Sequence, residues 1–389
     1  MRLLIAAGGT GGHIYPALAV ARSLSARTER HDAPELRWLG GHRGLEATLV
    51  PAAGIPMRRL AARSLRTTEA DIHAVLDPIR LAVSVPQATA VLLRERPAAV
   101  FTTGGYVAVP VLLAAAPLGI PVVMWDGNVV PGRAVRATAR LAAALAVSFE
   151  ATCRALAAAA PTRPCYLTGT PIRDVGAIDR AAARARMDVG PDERVLLIFG
   201  GSQAVRRFNA AVAEALPRLI ERATVIHVTG DEGYAAALTG REGLPEVRRR
   251  NYRPYPFLRD EMLAALVAAD LVIGRAGSST LAEVTALGVP MVVVPYPHAS
   301  GHQRANAASL VAAGAARLVE DEAFDADALL AAASLLDDPA AHEAMSLAAR
   351  GLGRPAAAAA VAELVLAAAT RQPFPDPAAI ERLARGDGA

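Results

Sequence analysis

A chain of 389 residues has room for two domains, each with its own core, and a content of 53% hydrophobic and 20% charged residues excludes a disordered bulk. The formal net charge of +4 fits an anionic partner, but aromatics are only 4% and no basic run is interleaved with them, which argues against the stacking platforms of single-strand nucleic-acid binders. All 41 basic residues are arginine, so Schiff-base lysines, the kinase strand lysine and Ser-x-x-Lys hydrolases are excluded too.

The first predicted strand is the apolar run Leu3-Leu4-Ile5, followed by the turn and helix "AAGGTGGHIYPALAVA". From Gly9 the spacing gives Gly11 but Ile14 where a dinucleotide fingerprint needs its last glycine, and a Walker loop needs the missing lysine. What remains is a strand, a glycine turn and a helix whose N–H groups can face an anion. A strand that begins this early leaves no room for a signal sequence, and a cytoplasmic protein is expected. Val107 to Trp125 is uncharged over a bilayer-spanning length, yet Pro110, Pro117, Gly119 and Pro121 interrupt it. That stretch is predicted to be a short buried helix, a turn and a strand. Cys153 and Cys165, with neither C-x-x-C nor metal spacing, read as free thiols of a reducing compartment.

The chain then repeats itself. "LLIAAGGTGG" at 3–12 is matched by "LLIFGGSQAV" at 196–205, and "AVFTTGGYVAVPVLLAAAPLGIPVVMWDGN" at 99–128 by "LVIGRAGSSTLAEVTALGVPMVVVPYPHAS" at 271–300. Two halves with one βαβ grammar predict an α/β fold of two Rossmann-like, doubly wound parallel-sheet domains facing a cleft. Ligands belong beyond the carboxyl ends of the strands, where the four glycine turns and both polar tips gather. The expected divisions are an N-terminal domain over 1–168, a second domain over 169–345, and an alanine-rich helical segment over 346–389 that returns to the first domain. Thr280-Leu-Ala-Glu283 reads equally as a capping box or as a site carboxylate. Asp325-Ala-Asp327 resembles a metal-binding D-x-D but sits at a helix start, where acids cap N–H groups, and no metal or cofactor is expected.

Seven motifs in register, "AAGGTGGHIYPALAVA", "TTGGYV", "GIPVVMWDGNVVPGRA", "TGTPIR", "FGGSQ", "RAGSSTLAEV" and "PYPHASGHQRANA", make the chain resemble the MurG family of GT-B glycosyltransferases over nearly its whole length. That family moves N-acetylglucosamine from UDP-N-acetylglucosamine to the lipid-linked muramyl-pentapeptide at the inner face of the bacterial membrane. The resemblance implies a donor site in the second half. Gly201, Ser202 and Gln203 and the helix start Ser278, Ser279 and Thr280 would hold the diphosphate, Glu283 the ribose diol, and the backbone of Leu258 the uracil edge. Arg173 would lie near the donor phosphates, with His302, Gln303 and Asn128 on the sugar. Thr10, Gly11 and Gly12 with Gly104, Gly105 and Tyr106 would take the acceptor diphosphate, leaving His13 and Asp126 as candidates for removing the acceptor proton. Four positions depart from the family pattern: Trp125 and Asp126 stand where it reads His-Glu, Thr170 replaces an asparagine, and His302 a glutamine. The acceptor implies an anionic membrane surface as partner and a peripheral location at its cytoplasmic face. The apolar stretch 71–98, edged by Arg80, Arg94 and Arg96, and the helix carrying Arg133, Arg136 and Arg140 are the expected rim. Another lipid or a secondary metabolite as acceptor, or a nucleotide-sugar-binding subunit without catalysis, remain the alternative readings.

Overall fold

The computed structural model describes residues 1–26, 33–42, 44–61, 73–200, 206–259, 261–297 and 302–387. Within them the chain forms two compact units, Met1–Arg173 with Arg354–Ala389, and Asp174–Gly353.

The first unit is built on a parallel sheet of β1 (Arg2–Ala6), β2 (Glu35–Gly40), β3 (Met57–Arg59), β4 (Ala99–Thr102), β5 (Val122–Asp126), β6 (Ala144–Val147) and β7 (Cys165–Leu167), in the order β3-β2-β1-β4-β5-β6-β7. A parallel sheet is covered on both faces, which is why its inner strands β1, β4, β5 and β6 are mostly apolar and buried, whereas β2 and the edge strand β3 carry Glu35, Arg37, Arg58 and Arg59. Side chains alternate along β1: Leu3 and Ile5 enter one core, Leu4 and Ala6 the other. The first core is closed by the helices Gly11–Ala26, Ala357–Thr370 and Pro377–Arg385. Small side chains let helices approach closely, and Ala360, Ala362 and Ala368 are buried in this layer beside Val361, Leu364 and Val365. The second core lies under the helices His73–Glu95, Gly105–Ala115 and Arg133–Thr138. Val107 to Trp125 divides as its prolines predict, into the helix Gly105–Ala115, a turn and β5.

The second unit repeats the plan with β8 (Val195–Phe199), β9 (Thr224–Val228), β10 (Tyr252–Tyr255), β11 (Leu271–Gly274), β12 (Met291–Val293) and β13 (Ala316–Leu318), ordered β10-β9-β8-β11-β12-β13 and parallel throughout. The internal repeat maps strand for strand: β1 corresponds to β8, β4 to β11 and β5 to β12. In each sheet the order reverses between the two strands that carry glycine turns, which places a crevice at β1/β4 and another at β8/β11.

One reading needs revision. Cys153 and Cys165 form a disulfide with Cα atoms 5.9 Å apart, because the helix Glu150–Ala157 packs along β7, where Cys165 begins the strand. By length and composition Pro339–Thr370 is apolar enough to cross a membrane, a property the sequence reading sought at Val107. It is two helices, Pro339–Leu352 and Ala357–Thr370, one in each unit, with Ala360, Val361 and Leu364 fully buried in the first core.

His227 in β9 is fully enclosed, its Nδ1 sharing a 2.9 Å hydrogen bond with the Tyr252 hydroxyl. Burial pushes its pKa down to about 3 from 6.5. The unfolded chain therefore binds the extra proton first, and stability is full above pH 6.5 and lost as pH falls toward about 3, at up to about 1.4 kcal/mol per pH unit. Urea denaturation from pH 7 to pH 4 should show this slope in the wild type and a shallower one in His227→Phe; equal slopes would contradict it.

Candidate active site

In the first unit, the turns that follow β1 and β4 are joined through one histidine. Thr10 precedes the helix Gly11–Ala26, and its carbonyl accepts from the N–H groups of His13 at 3.0 Å and Ile14 at 3.2 Å. A helix start leaves N–H groups without intrahelical acceptors, here those of Gly11 and Gly12, and adds the positive end of the helix dipole. His13 is half-buried, with Nδ1 2.8 Å from the carbonyl oxygen of Thr103, while the Thr103 hydroxyl donates back to the His13 carbonyl at 3.1 Å. A carbonyl only accepts, so Nδ1 carries the hydrogen, and in the neutral ring Nε2 keeps its lone pair. The ring edge bearing Nε2 lies beside Gly105, 3.5 Å from where a Cβ would stand, and the backbone at Gly104 and Gly105 has φ of 81° and 72°. Tyr106 follows, half-buried, in the first turn of the helix Gly105–Ala115.

Asp126 ends β5 and is 5% exposed. Its Oδ1 accepts from the Asn128 N–H and its Oδ2 from the Gly132 N–H, each at 2.9 Å. Burial pushes the carboxyl above its ordinary range, and those two N–H groups partly offset it. The Asn128 carbonyl is held by the Thr152 hydroxyl at 2.7 Å. The departures from the family pattern have local explanations. Trp125 is a core side chain whose indole donates to the Gly169 carbonyl at 3.0 Å, and Thr170 is buried with its hydroxyl 2.7 Å from that of Ser148. Asn128 and Arg173 both belong to this unit.

In the second unit the helix Ser278–Leu287 opens after Gly277, with Ser278, Ser279 and Thr280 in its first turn. Thr280 lies inside the helix and no side chain caps it, which sets aside the capping-box reading of Thr280 with Glu283. Glu283 is a buried side chain one turn further on. The Ser279 hydroxyl and His302 Nδ1 are enclosed without a hydrogen-bond partner among the described residues. Gln303, in the helix His302–Ala312, accepts with Oε1 from the Tyr296 N–H at 3.0 Å, leaving its amide N–H groups to donate elsewhere. Leu258 is buried between β10 and the helix Glu261–Ala268. Asp325 caps the helix Ala326–Ala333 through the Ala328 N–H at 2.9 Å. Gly201, Ser202 and Gln203 lie outside the described residues.

Two charged residues that the sequence reading passed over organise these turns. Arg275 is 6% exposed and donates to the carbonyls of Val294 at 3.1 Å and Pro295 at 3.3 Å and to Asp321 Oδ1 at 2.6 Å, its guanidinium lying over the rings of Phe208 and Tyr296. It ties together the segments that follow β11, β12 and β13. Glu46 is the counterpart in the first unit: it is fully buried, and accepts from the N–H of Gly9 and the hydroxyl of Tyr106, both at 3.0 Å, and from the N–H of Gly41 at 3.2 Å. The signal that could have found it is the glycine cluster at 40, 41 and 44, a third glycine turn at the end of β2.

Two doubly wound units with glycine turns at their switch points are the GT-B plan, and the family matches make the chain a glycosyltransferase of that type. Residues 3–147 match the N-terminal domain of glycosyltransferase family 28 and residues 195–361 its C-terminal domain. The chain is 38% identical over 374 residues to the UDP-N-acetylglucosamine--N-acetylmuramyl-(pentapeptide) pyrophosphoryl-undecaprenol N-acetylglucosamine transferase of Desulforudis audaxviator, covering 94% of this chain and 98% of that one. It is 40% identical over 372 residues to the protein of the same description from Alkalilimnicola ehrlichii, with the same shares covered. The crystal structure of Acinetobacter baumannii MurG superposes with a TM-score of 0.71 at 28% identity, covering 94% of this chain and 99% of that one. The chain belongs to the MurG family of N-acetylglucosamine transferases.

Both oxygens of Asp126 hold backbone N–H groups, and an amide has only one acceptor oxygen. Asp126→Asn should therefore lower stability by about 1–3 kcal/mol, the cost of leaving a buried donor unpaired. Thermal denaturation checks this, and an unchanged Tm would mean that the carboxylate does not hold the loop.

Proposed function

We propose that this chain moves N-acetylglucosamine from UDP-N-acetylglucosamine to the muramyl-pentapeptide pyrophosphoryl-undecaprenol acceptor, the lipid I to lipid II step of peptidoglycan synthesis, with inversion and with His13 as general base. The observation that carries the base assignment is the commitment of Nδ1 to Thr103, which leaves Nε2 as the proton-accepting atom at the β1/β4 crevice. The acceptor hydroxyl attacks the anomeric carbon, its proton passes to Nε2, and the bond to UDP breaks with the electron pair leaving on the diphosphate. The helix-start N–H groups of Gly11 and Gly12, with Thr10 and the Gly104-Gly105 turn, suit the acceptor diphosphate. Asp126 is a loop-holding residue in this scheme.

On the donor side, Ser278, Ser279 and Thr280 with Gly201, Ser202 and Gln203 take the diphosphate, and Glu283 takes the ribose diol. Leu258 meets the uracil through its backbone. His302, Gln303 and Asn128 contact the sugar, and Arg173 the donor phosphates. No metal is needed, because helix-start N–H groups and arginine supply the charge stabilisation.

A lipid acceptor calls for a membrane-facing rim. Three neighbouring helices on one face of the first sheet, His73–Glu95, Gly105–Ala115 and Arg133–Thr138, carry or flank exposed Val83, Leu93, Leu113 and Val130 together with exposed Arg94, Arg96, Arg133, Arg136 and Arg140. Apolar area plus arginines suits peripheral attachment to an anionic leaflet, here its cytoplasmic face.

Steady-state transfer with UDP-N-acetylglucosamine and lipid I tests the assignment. His13→Ala should lower kcat about 10²–10⁴-fold with little change in donor KM, whereas Glu283→Ala should raise donor KM about 10–100-fold. A mild His13→Ala beside a severe Asp126→Asn defect in kcat would move the base to the carboxylate. Sedimentation with anionic vesicles should bind the protein and release it as salt is raised, since arginines near the surface contribute about 1 kcal/mol each and are screened over roughly 8–10 Å. Equal binding to neutral vesicles would contradict the rim.

A further inference from the structure

The buried Glu46 carboxylate touches three elements. It begins the helix Glu46–Ala52, its Oε2 accepts from the Gly9 N–H in the first glycine turn, and its Oε1 accepts from the Gly41 N–H after β2 and from the Tyr106 hydroxyl after β4. The surrounding glycines make room for this arrangement. A Cβ at Gly41 would overlap the Tyr106 hydroxyl, and one at Gly44 would overlap Glu46 Oε2, while Gly44 also needs its φ of 132°. At Gly8 a Cβ would stand 2.8 Å from Glu46 Oε1 and 3.0 Å from the Tyr106 hydroxyl.

A phenol has one hydrogen to donate and lone pairs to accept with. A carboxylate has none to donate, so the Tyr106 hydrogen must lie along the bond to Oε1. We propose that Glu46 is a positioning residue that fixes the polarity of Tyr106, so that the phenol oxygen meets the acceptor substrate only as a hydrogen-bond acceptor. Its partner on that substrate is a neutral donor, a sugar hydroxyl or an amide N–H, and not a phosphate oxygen, which would need the hydrogen Glu46 holds. This separates Tyr106 from Thr10, Gly11 and Gly12, whose helix-start N–H groups are donors suited to the diphosphate. Burial, with the Glu46 carboxylate beside it, pushes the Tyr106 hydroxyl well above the ordinary phenol range, in keeping with a hydrogen that stays in place.

The inference rests on the transfer to a lipid-linked sugar proposed above, and its test keeps the two apart. Calorimetric binding of farnesyl diphosphate, a polyprenyl diphosphate without a sugar, should give the same Kd for wild type and Tyr106→Phe, whereas the KM for lipid I should rise about tenfold in Tyr106→Phe at constant donor KM. Glu46→Gln keeps the side-chain volume but removes the charge and sets an NH₂ group against a donor. It should raise the lipid I KM in the same direction, and the alkaline absorbance titration of Tyr106, isolated by difference from Tyr106→Phe, should shift to lower pH. A farnesyl diphosphate Kd weakened as much as the lipid I KM would overturn the polarity, since Tyr106 would then be donating to phosphate. An unshifted Tyr106 titration in Glu46→Gln would overturn the positioning role. Absence of transfer by the wild type would instead overturn the proposed reaction, while the titration still decides the Glu46–Tyr106 pairing.

Discussion

The reciprocal pair of hydrogen bonds between His13 and Thr103 joins the first glycine turn to the second. One runs from the imidazole Nδ1 to the Thr103 carbonyl at 2.8 Å, the other from the Thr103 hydroxyl to the His13 carbonyl at 3.1 Å. β1 and β4 are hydrogen-bonded neighbours at the point where the strand order reverses, so their turns emerge side by side and must be held apart by something other than sheet pairing. The His13 ring does this while fixing its own tautomer. An adjacent contact repeats the theme: the Thr102 hydroxyl donates to the Ala6 carbonyl at 2.7 Å, so consecutive threonines on β4 and its turn both clasp the first segment.

Each unit holds its turns with a buried charge of opposite sign. In the first, the Glu46 carboxylate gathers N–H and O–H donors; in the second, the Arg275 guanidinium gathers carbonyl oxygens and the Asp321 carboxylate. Burying a charge is costly unless its hydrogen-bonding capacity is met, and removing one partner of a buried pair exposes that cost. Such residues are poor sources of net stability, but they allow few alternative loop positions. That suits turns whose role is to present N–H groups at fixed distances.

How much of this was legible in the sequence depended on range. The repeat of strand, glycine turn and helix is local, and it gave two parallel sheets whose corresponding strands occupy corresponding positions. Pro117, Gly119 and Pro121 likewise marked the turn between the helix Gly105–Ala115 and β5, while Pro110 is accommodated inside that helix. Side-chain partnerships that cross the sheet were not legible. Glu46 follows three glycines, but which N–H groups it meets depends on β2 lying beside β1 and on Tyr106 reaching over from β4. Trp125 stood out only as a departure from a motif, and its place in the core, with the indole donating to the Gly169 carbonyl, depends on a partner far along the chain. Cys153 and Cys165 looked like isolated thiols because nothing in their spacing shows that a helix will lie along β7. Thr280 and Glu283 had the spacing of a cap, but the helix begins two residues earlier, at Ser278.

The tautomer of His13 is the point on which the base assignment turns, and ¹⁵N NMR of the enzyme labelled at histidine reads it directly, with the His13 resonances assigned by their loss in His13→Gln. In the neutral ring the hydrogen is expected on Nδ1, with Nε2 showing the shift of an unprotonated nitrogen. A neutral ring carrying its hydrogen on Nε2 would contradict the bond to Thr103 and remove the proton acceptor from the crevice.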